Sequence, residues 1–193
     1  MNVAMKPLPS ADLLHELLRY EKETGYLYYR EPGKGRDLER PAGSLTGQMY
    51  RHLKISGVFY YAHRLIWHMI VGPIPDGHFV DHRNGQRDLN TVDPSALDDS
   101  TRTNLRTATP AQNASNRDLS GLREVRAMLR GVSQRGNRYT ATLTHDYSSI
   151  NLGSFPTEQD AHAAYREAAR IRKGQFANFS QADCYLKATR KRN

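Results

Sequence analysis

The segment Val80-Asp81-His82-Arg83-Asn84-Gly85 runs a short extended stretch into an Asn-Gly pair, a strong local signal for a tight chain reversal because both residues tolerate positive φ. The chain must arrive as a strand, reverse, and return as a second strand or loop. Upstream, His63 to Val71 carries apolar residues at helical spacing and stops at Gly72-Pro73-Ile74-Pro75-Asp76-Gly77, which cannot continue a helix. Downstream, Pro110-Ala111-Gln112-Asn113 opens the next helical pattern. Strand, turn, strand or loop, and helix make a compact ββα unit.

The residues before this unit are read as a β-rich lead-in. Leu13, Leu14, Leu17 and Leu18 predict a short amphipathic helix from about Ala11 to Tyr20, with Ser10 as its N-cap. The aromatic run after Thr24-Gly25 predicts a strand, Glu31 to Pro41 a charged loop, and Gln48–Ile55 with Val58–Tyr61 a hairpin turned at Ser56-Gly57. After the ββα unit comes a basic, moderately helical linker over residues 118–129. Three short strands follow, in Gly131–Gln134, Arg138–Thr144 and Ser149–Phe155, with turns at Gly136-Asn137 and Asp146-Tyr147. Thr157 then caps a helix with an apolar stripe through Ala161, Ala164, Tyr165 and Ala168, and a basic tail occupies 181–193. The fold class is α+β, divided as 1–62, 63–117, 118–129, 130–180 and 181–193.

The 193 residues carry 28 Lys+Arg against 20 Asp+Glu, a net charge of +8 that favours a polyanionic partner. The single cysteine, Cys184, excludes an internal disulfide framework or a Cys-rich zinc ribbon, and is read as an ordinary thiol in a reducing compartment. No signal peptide and no membrane-length apolar run is found, so a cytoplasmic protein is expected.

Asp81 and His82 are adjacent on a predicted strand, so their side chains point to opposite faces. That suits divided labour in phosphodiester hydrolysis. A histidine, with a reference pKa of about 6.5, accepts the proton of the attacking water, and a carboxylate holds a hard divalent cation that neutralises charge on the phosphate.

Val80-Asp81-His82-x-Asn84-Gly85, Asn104-Leu105-Arg106, Thr109 and Gln112-Asn113 resemble the HNH nuclease motif of phage and intron-encoded homing endonucleases, and Ala62-His63-Arg64-Leu65 and Gly72-Pro73-Ile74-Pro75 are similar to the sequence that leads into it. The resemblance implies a ββα-metal finger acting in the bacterial host of a phage or mobile element, with His82 as general base and Asn104 orienting it. It also implies Asp81 and Asn113 as ligands of one Mg2+ or Mn2+, and Arg64 and Arg106 on DNA. The chain departs from the family between Gly85 and Asn104, where the usual short Asp-Asn turn is replaced by the longer stretch Gln86 to Thr103, containing Asp88-Leu89-Asn90 and Asp98-Asp99-Ser100. It is read as a surface-loop insertion whose aspartates Asp88, Asp93, Asp98 and Asp99 are solvated rather than ligands. His63 and His68 are read as packing residues, with His63 the better candidate for the edge of the site.

Gly131-Val132, Tyr139-x-Ala141, Leu152-Gly153-x-Phe155, Ala161-x-x-Ala164-Tyr165 and Gly174-x-Phe176-Ala177 resemble the APETALA-type, or ethylene-response-factor, DNA-binding domain, with Tyr139 where that family usually carries Trp. In that fold a three-stranded sheet enters the major groove, which implies DNA contacts from Gln134, Arg135, Arg138, Tyr139 and Thr140. The two resemblances span most of the chain after about Tyr60. Together they imply a metal-dependent endonuclease on double-stranded DNA that needs no obligate protein partner, with a homodimer as one way to cut both strands. The alternatives are a DNA-binding protein whose catalytic site has decayed and an RNA-binding module.

Overall fold

The computed structural model describes residues 6–116, 128–145 and 148–177. The chain divides into two compact units, residues 1–108 and 109–193. The linker as far as residue 127, the Asp146-Tyr147 turn, Cys184 and the tail lie outside the described residues. Among the described residues no helix is long and apolar enough to cross a membrane.

The first unit opens with α1 (Ala11–Leu17), whose N-cap Ser10 accepts a hydrogen bond from the Leu13 backbone N–H. The helix is shorter than its leucine spacing suggests. Leu18 turns extended (φ −131°, ψ 149°), and β1 (Leu18–Glu21) pairs antiparallel with β2 (Tyr26–Tyr29), Leu18 opposite Tyr29. The aromatic strand gives these backbone groups ladder partners and buries Leu18 completely, so a non-local contact overrides local helical spacing.

A three-stranded sheet follows in the order β3 (Ser44–Leu45), β4 (Arg51–Ile55), β5 (Val58–Tyr61). Ser56 (φ 48°) and Gly57 (φ 84°) both take left-handed conformations at the β4–β5 turn, as a two-residue hairpin of this twist requires. Then come α2 (Ala62–Ile70) and the pair β6 (Phe79–His82) with β7 (Leu105–Ala108).

One hydrophobic core joins all these pieces, from Leu14, Leu18 and Leu27 through Leu53, Leu65 and Ile66 to Val80, Val92 and Leu105. The lead-in and the residues up to 108 are therefore one packed body rather than two modules. The stretch from Gln86 to Thr103 is part of it rather than a surface insertion. Val92 is fully buried, and its backbone N–H donates to the Tyr20 hydroxyl at 2.8 Å. Asp93 is buried too. It pairs with Lys22 at 2.8 Å, binds Arg102, and accepts from Ser95, and these partners, Lys22 first, hold its carboxyl well below the usual range. Asp88 accepts two hydrogen bonds from Arg51 and one from the Tyr26 hydroxyl. Only Asp98 and Asp99 keep the solvated character expected of all four aspartates.

The second unit begins with α3 (Pro110–Ser115), capped by Thr109 in a reciprocal capping box with Gln112. Strands β8 (Val132–Arg135), β9 (Arg138–His145) and β10 (Ser148–Phe155) form an antiparallel sheet in the order β10-β9-β8. Helix α4 (Glu158–Lys173), capped by Thr157, packs on this sheet through Ala161, Tyr165 and Ala169 against Ala141 and Leu143. His162 and Ala169 are buried, whereas Ala164 and Ala168 are only partly so, which turns the stripe by a fraction of a turn from its expected line. Gly131 (φ 77°) lies so close to the Tyr165 ring that a Cβ would collide with it.

Gly131→Ala therefore adds a clash to a left-handed backbone that costs a non-glycine residue about 1–2 kcal/mol. The expected result is lower amide-exchange protection in β9 and α4; unchanged protection would count against the packing of Tyr165 on Gly131.

Candidate active site

Strand β6 buries its last three residues, with Asp81 8 % and His82 4 % exposed. Their partners differ, as strand alternation requires. Asp81 is opposite Arg106 in the β6–β7 register, and its Oδ2 accepts from Arg106 Nε at 3.0 Å and Nη2 at 2.9 Å. His82 meets the side-chain amide of Asn90, with Nε2 2.8 Å from Oδ1. Its ring also makes an edge contact with the His63 ring at 5.1 Å between centroids and lies 5.9 Å from Tyr50. Tyr61 stacks on His63 from the far side at 5.5 Å.

The Asn90 contact decides which nitrogen of His82 carries the proton. Asn90 Nδ2 donates to the Asp88 carbonyl at 3.3 Å, which turns its Oδ1 toward the ring as an acceptor. His82 Nε2 must therefore donate, and the lone pair resides on Nδ1. Burial is the largest influence on the His82 pKa and lowers it, against smaller upward effects from Asn90 and Asp81. The imidazole is thus neutral near pH 7, with a basic Nδ1 and a fixed ring plane.

Residues of the lead-in hold Asn90 itself. The Tyr20 hydroxyl donates to its carbonyl at 3.2 Å. Gly25 (φ 74°) comes so near the Asn90–Thr91 backbone that a Cβ would sit 2.7 Å from the Asn90 carbonyl carbon. Arg51 and Tyr26 anchor Asp88 two residues before. Asn90, the side chain that meets His82, is one that the sequence pattern does not single out, although Asp88-Leu89-Asn90 carries it. Asn104 has partners of its own in the turn and the loop. Its Oδ1 accepts from the Asn84 backbone N–H at 3.1 Å and its Nδ2 donates to the Leu89 carbonyl at 2.6 Å, so it ties the turn to the loop. In that turn only Gly85 (φ 76°) has positive φ; the Asn84 side chain instead accepts from the Gln86 N–H at 2.8 Å.

The structure also relocates Arg106. It is 4 % exposed and committed to Asp81, so it is an internal partner of that carboxylate and not a surface contact for DNA. Arg64 is half-buried on α2, and desolvation lowers its pKa. Asn113 sits on α3, in the second unit. In the three-stranded sheet Gln134, Arg135 and Arg138 are exposed and Tyr139 and Thr140 half-buried; Arg138 donates to both the hydroxyl and the carbonyl of Ser154. Among the described residues no cluster of three or more His, Cys, Asp or Glu side chains could hold a metal. A cation site built on Asp81 would have this one carboxylate, completed by amide, water or substrate oxygens. That donor set fits Mg2+, which keeps several waters and takes one or two carboxylates plus phosphate oxygens.

A family model for HNH endonucleases matches residues 60–93. Those residues are similar to an HNH endonuclease segment. The match runs from the end of β5 through α2 and β6 to Asp93, so it includes His63, Asp81, His82 and Asn90. Over 122 residues the chain is 31 % identical to the HNH endonuclease L560 of Acanthamoeba polyphaga mimivirus, an alignment covering 63 % of this chain and 57 % of that protein. The chain thus spans little more than half the length of this relative. A solved structure titled as DNA binding and cleavage by the HNH homing endonuclease I-HmuI aligns at 16 % identity with a TM-score of 0.39, over 86 % of this chain and 90 % of that one.

Two outcomes test this geometry. Arg106→Ala leaves the Asp81 carboxylate buried without its guanidinium, so stability falls by about 3–5 kcal/mol in urea denaturation; a surface arginine would cost almost nothing. The second is a pH dependence. Burial holds the pKa of His63 well below, and that of His82 below, the value of about 6.5 in an unfolded chain. Below pH 6.5 the unfolded state therefore binds protons that the folded state refuses. Their contribution is complete above pH 6.5 and is lost as pH falls toward the folded values. The urea midpoint of the wild type should drop between pH 7.5 and pH 5, and less so in His63→Phe.

Proposed function

We propose that the chain is a metal-dependent DNA endonuclease with His82 Nδ1 as its base, and the observation that carries this reading is the buried, neutral His82 whose Nε2 donates to Asn90. Nδ1 takes a proton from water as the water oxygen bonds to phosphorus and the P–O bond to the leaving oxygen breaks. Asn90 keeps the imidazole in the correct tautomer and spreads the positive charge that the ring acquires. Asp81 and Asn113 would hold one Mg2+ or Mn2+, which would supply neutralisation of the developing charge on phosphate. Arg106 orients the ligand carboxylate, as the outer partners of metal ligands commonly do.

The substrate is double-stranded DNA, as the basic composition and the HNH match both favour. Targeting falls to an APETALA-type sheet in the second unit, whose Gln134, Arg135, Arg138, Tyr139 and Thr140 face the major groove, with Arg64 contacting DNA from the first unit. One site per chain makes the monomer a nickase, and a homodimer would cut both strands. One observation favours a second reading: Arg106 already occupies Oδ2 of Asp81, as it would in a site that binds DNA without cutting it.

Plasmid nicking separates the two. The endonuclease requires a divalent cation, loses about 10²–10⁴-fold in rate in His82→Ala, and loses much of its rate in Asn90→Ala while Asn104→Ala acts mainly on stability. Asn113→Ala raises the Mg2+ concentration needed for half-maximal rate. Intact plasmid at saturating protein, in both Mg2+ and Mn2+, would leave the binding-only reading.

A further inference from the structure

The second unit contains an open cavity of about 60 Å³ lined by Gln112 and Ser115 of α3, His145 at the end of β9, Arg172 and Lys173 in the last turn of α4, and Phe176. Among the described residues no carboxylate lines it. Arg170, on the same helix, forms an ion pair with Glu167 at 2.9 Å, whereas Arg172 and Lys173 have no acidic partner among the described residues. Lys173 is half-buried, and desolvation followed by the nearby charge of Arg130 lowers its pKa. Cations in the last turn of a helix are stabilised by its dipole, but that effect is available to a fully hydrated side chain. It does not account for an ammonium drawn into a cavity beside a second positive charge. An entering anion would offset both the desolvation and the repulsion.

The neutral lining suits the same ligand. The Oε1 of Gln112 is used as an acceptor by the Thr109 backbone N–H, so its amide N–H groups are what the residue can offer an oxyanion. Phe176 and Ala111 add apolar surface to the lining.

We propose that this cavity is a subsite for a phosphate group of the DNA backbone, anchored by Lys173 and Arg172 and separate from the sheet residues Gln134 to Thr140. Resting on the DNA-binding reading above, it adds an anchor that carries no sequence information and sets position and register. It also gives α3, the helix of Asn113, a phosphate contact of its own.

The test measures duplex DNA binding by the full chain in EDTA, which prevents cleavage, across a series of salt concentrations. Neutralising a residue that contacts one phosphate lowers the slope of log K against log[salt] by about 1. Lys173→Ala should lower the slope by that amount, Lys173→Arg should restore it, and Arg170→Ala, which removes the same charge outside the cavity, should leave it unchanged. Equal slopes for Lys173→Ala and wild type overturn the proposal, as do equal losses for Lys173→Ala and Arg170→Ala. A parallel titration with inorganic phosphate follows the His145 and Lys173 resonances. Saturable shifts there with an unchanged DNA slope would mean a site for free phosphate and overturn the assignment to DNA. If the wild type fails to bind duplex DNA at low salt, the DNA-endonuclease reading itself fails, an outcome distinct from loss of the subsite alone.

Discussion

The hydrogen bond from His82 Nε2 to Asn90 Oδ1 is the interaction around which the first unit is organised. An imidazole can work as a base only if one nitrogen keeps its lone pair, and the tautomer is set by what the other nitrogen meets. Here the acceptor belongs to a loop that would be mobile if it were merely an insertion. It is held by Tyr20 from β1, by the close approach of Gly25 in the turn after β1, and by Arg51 of β4 through Asp88. The lead-in strands thus do more than precede the site. They determine where Asn90 sits, and through it the orientation of the His82 ring.

The Asp81–Arg106 pair is the complementary constraint on the other side of β6. Two charges withdrawn from water add little net stability, because desolvation opposes their attraction. What the pair provides is geometry: a guanidinium engaging Asp81 through two N–H groups fixes the carboxylate rotamer, and the cross-strand register puts the two residues opposite each other without any loop to adjust. Oδ2 carries both hydrogen bonds. A carboxylate has about four lone-pair sites on its two oxygens, so this arrangement is compatible with a further ligand.

Much of this was legible in the sequence wherever the determinants are local. The Gly72–Gly77 punctuation ended α2, Ser56-Gly57 made the β4–β5 hairpin, and the strands and capped helix of the second unit fell near their expected places. The failures share a physical cause. Leu18 fits the leucine spacing of α1, but Tyr29, eleven residues away, offers it a strand partner. Arg106 looks like a surface cation until Asp81 is seen across the ladder. Asn90 and Asn104 are equivalent as amides, and which one reaches His82 depends on the path of the intervening loop. That path is set by Val92 entering the core and by contacts with residues some 40 to 70 positions earlier.

Buried aspartates in this loop make the same point about charge. Composition alone counts Asp88 and Asp93 among the acidic residues that temper a basic chain, yet each is consumed internally, by Arg51 and by Lys22 with Arg102. Asp81 is consumed likewise by Arg106. Internal pairing cancels charges locally and leaves the rest of the surface to set the field a polyanion meets. Among the described residues of the second unit Arg172 and Lys173 have no such partner, which leaves their positive charge uncompensated there. A net charge of +8 therefore understates how unevenly the attraction for phosphate is distributed, because the acidic residues it counts are in part already neutralised inside the fold.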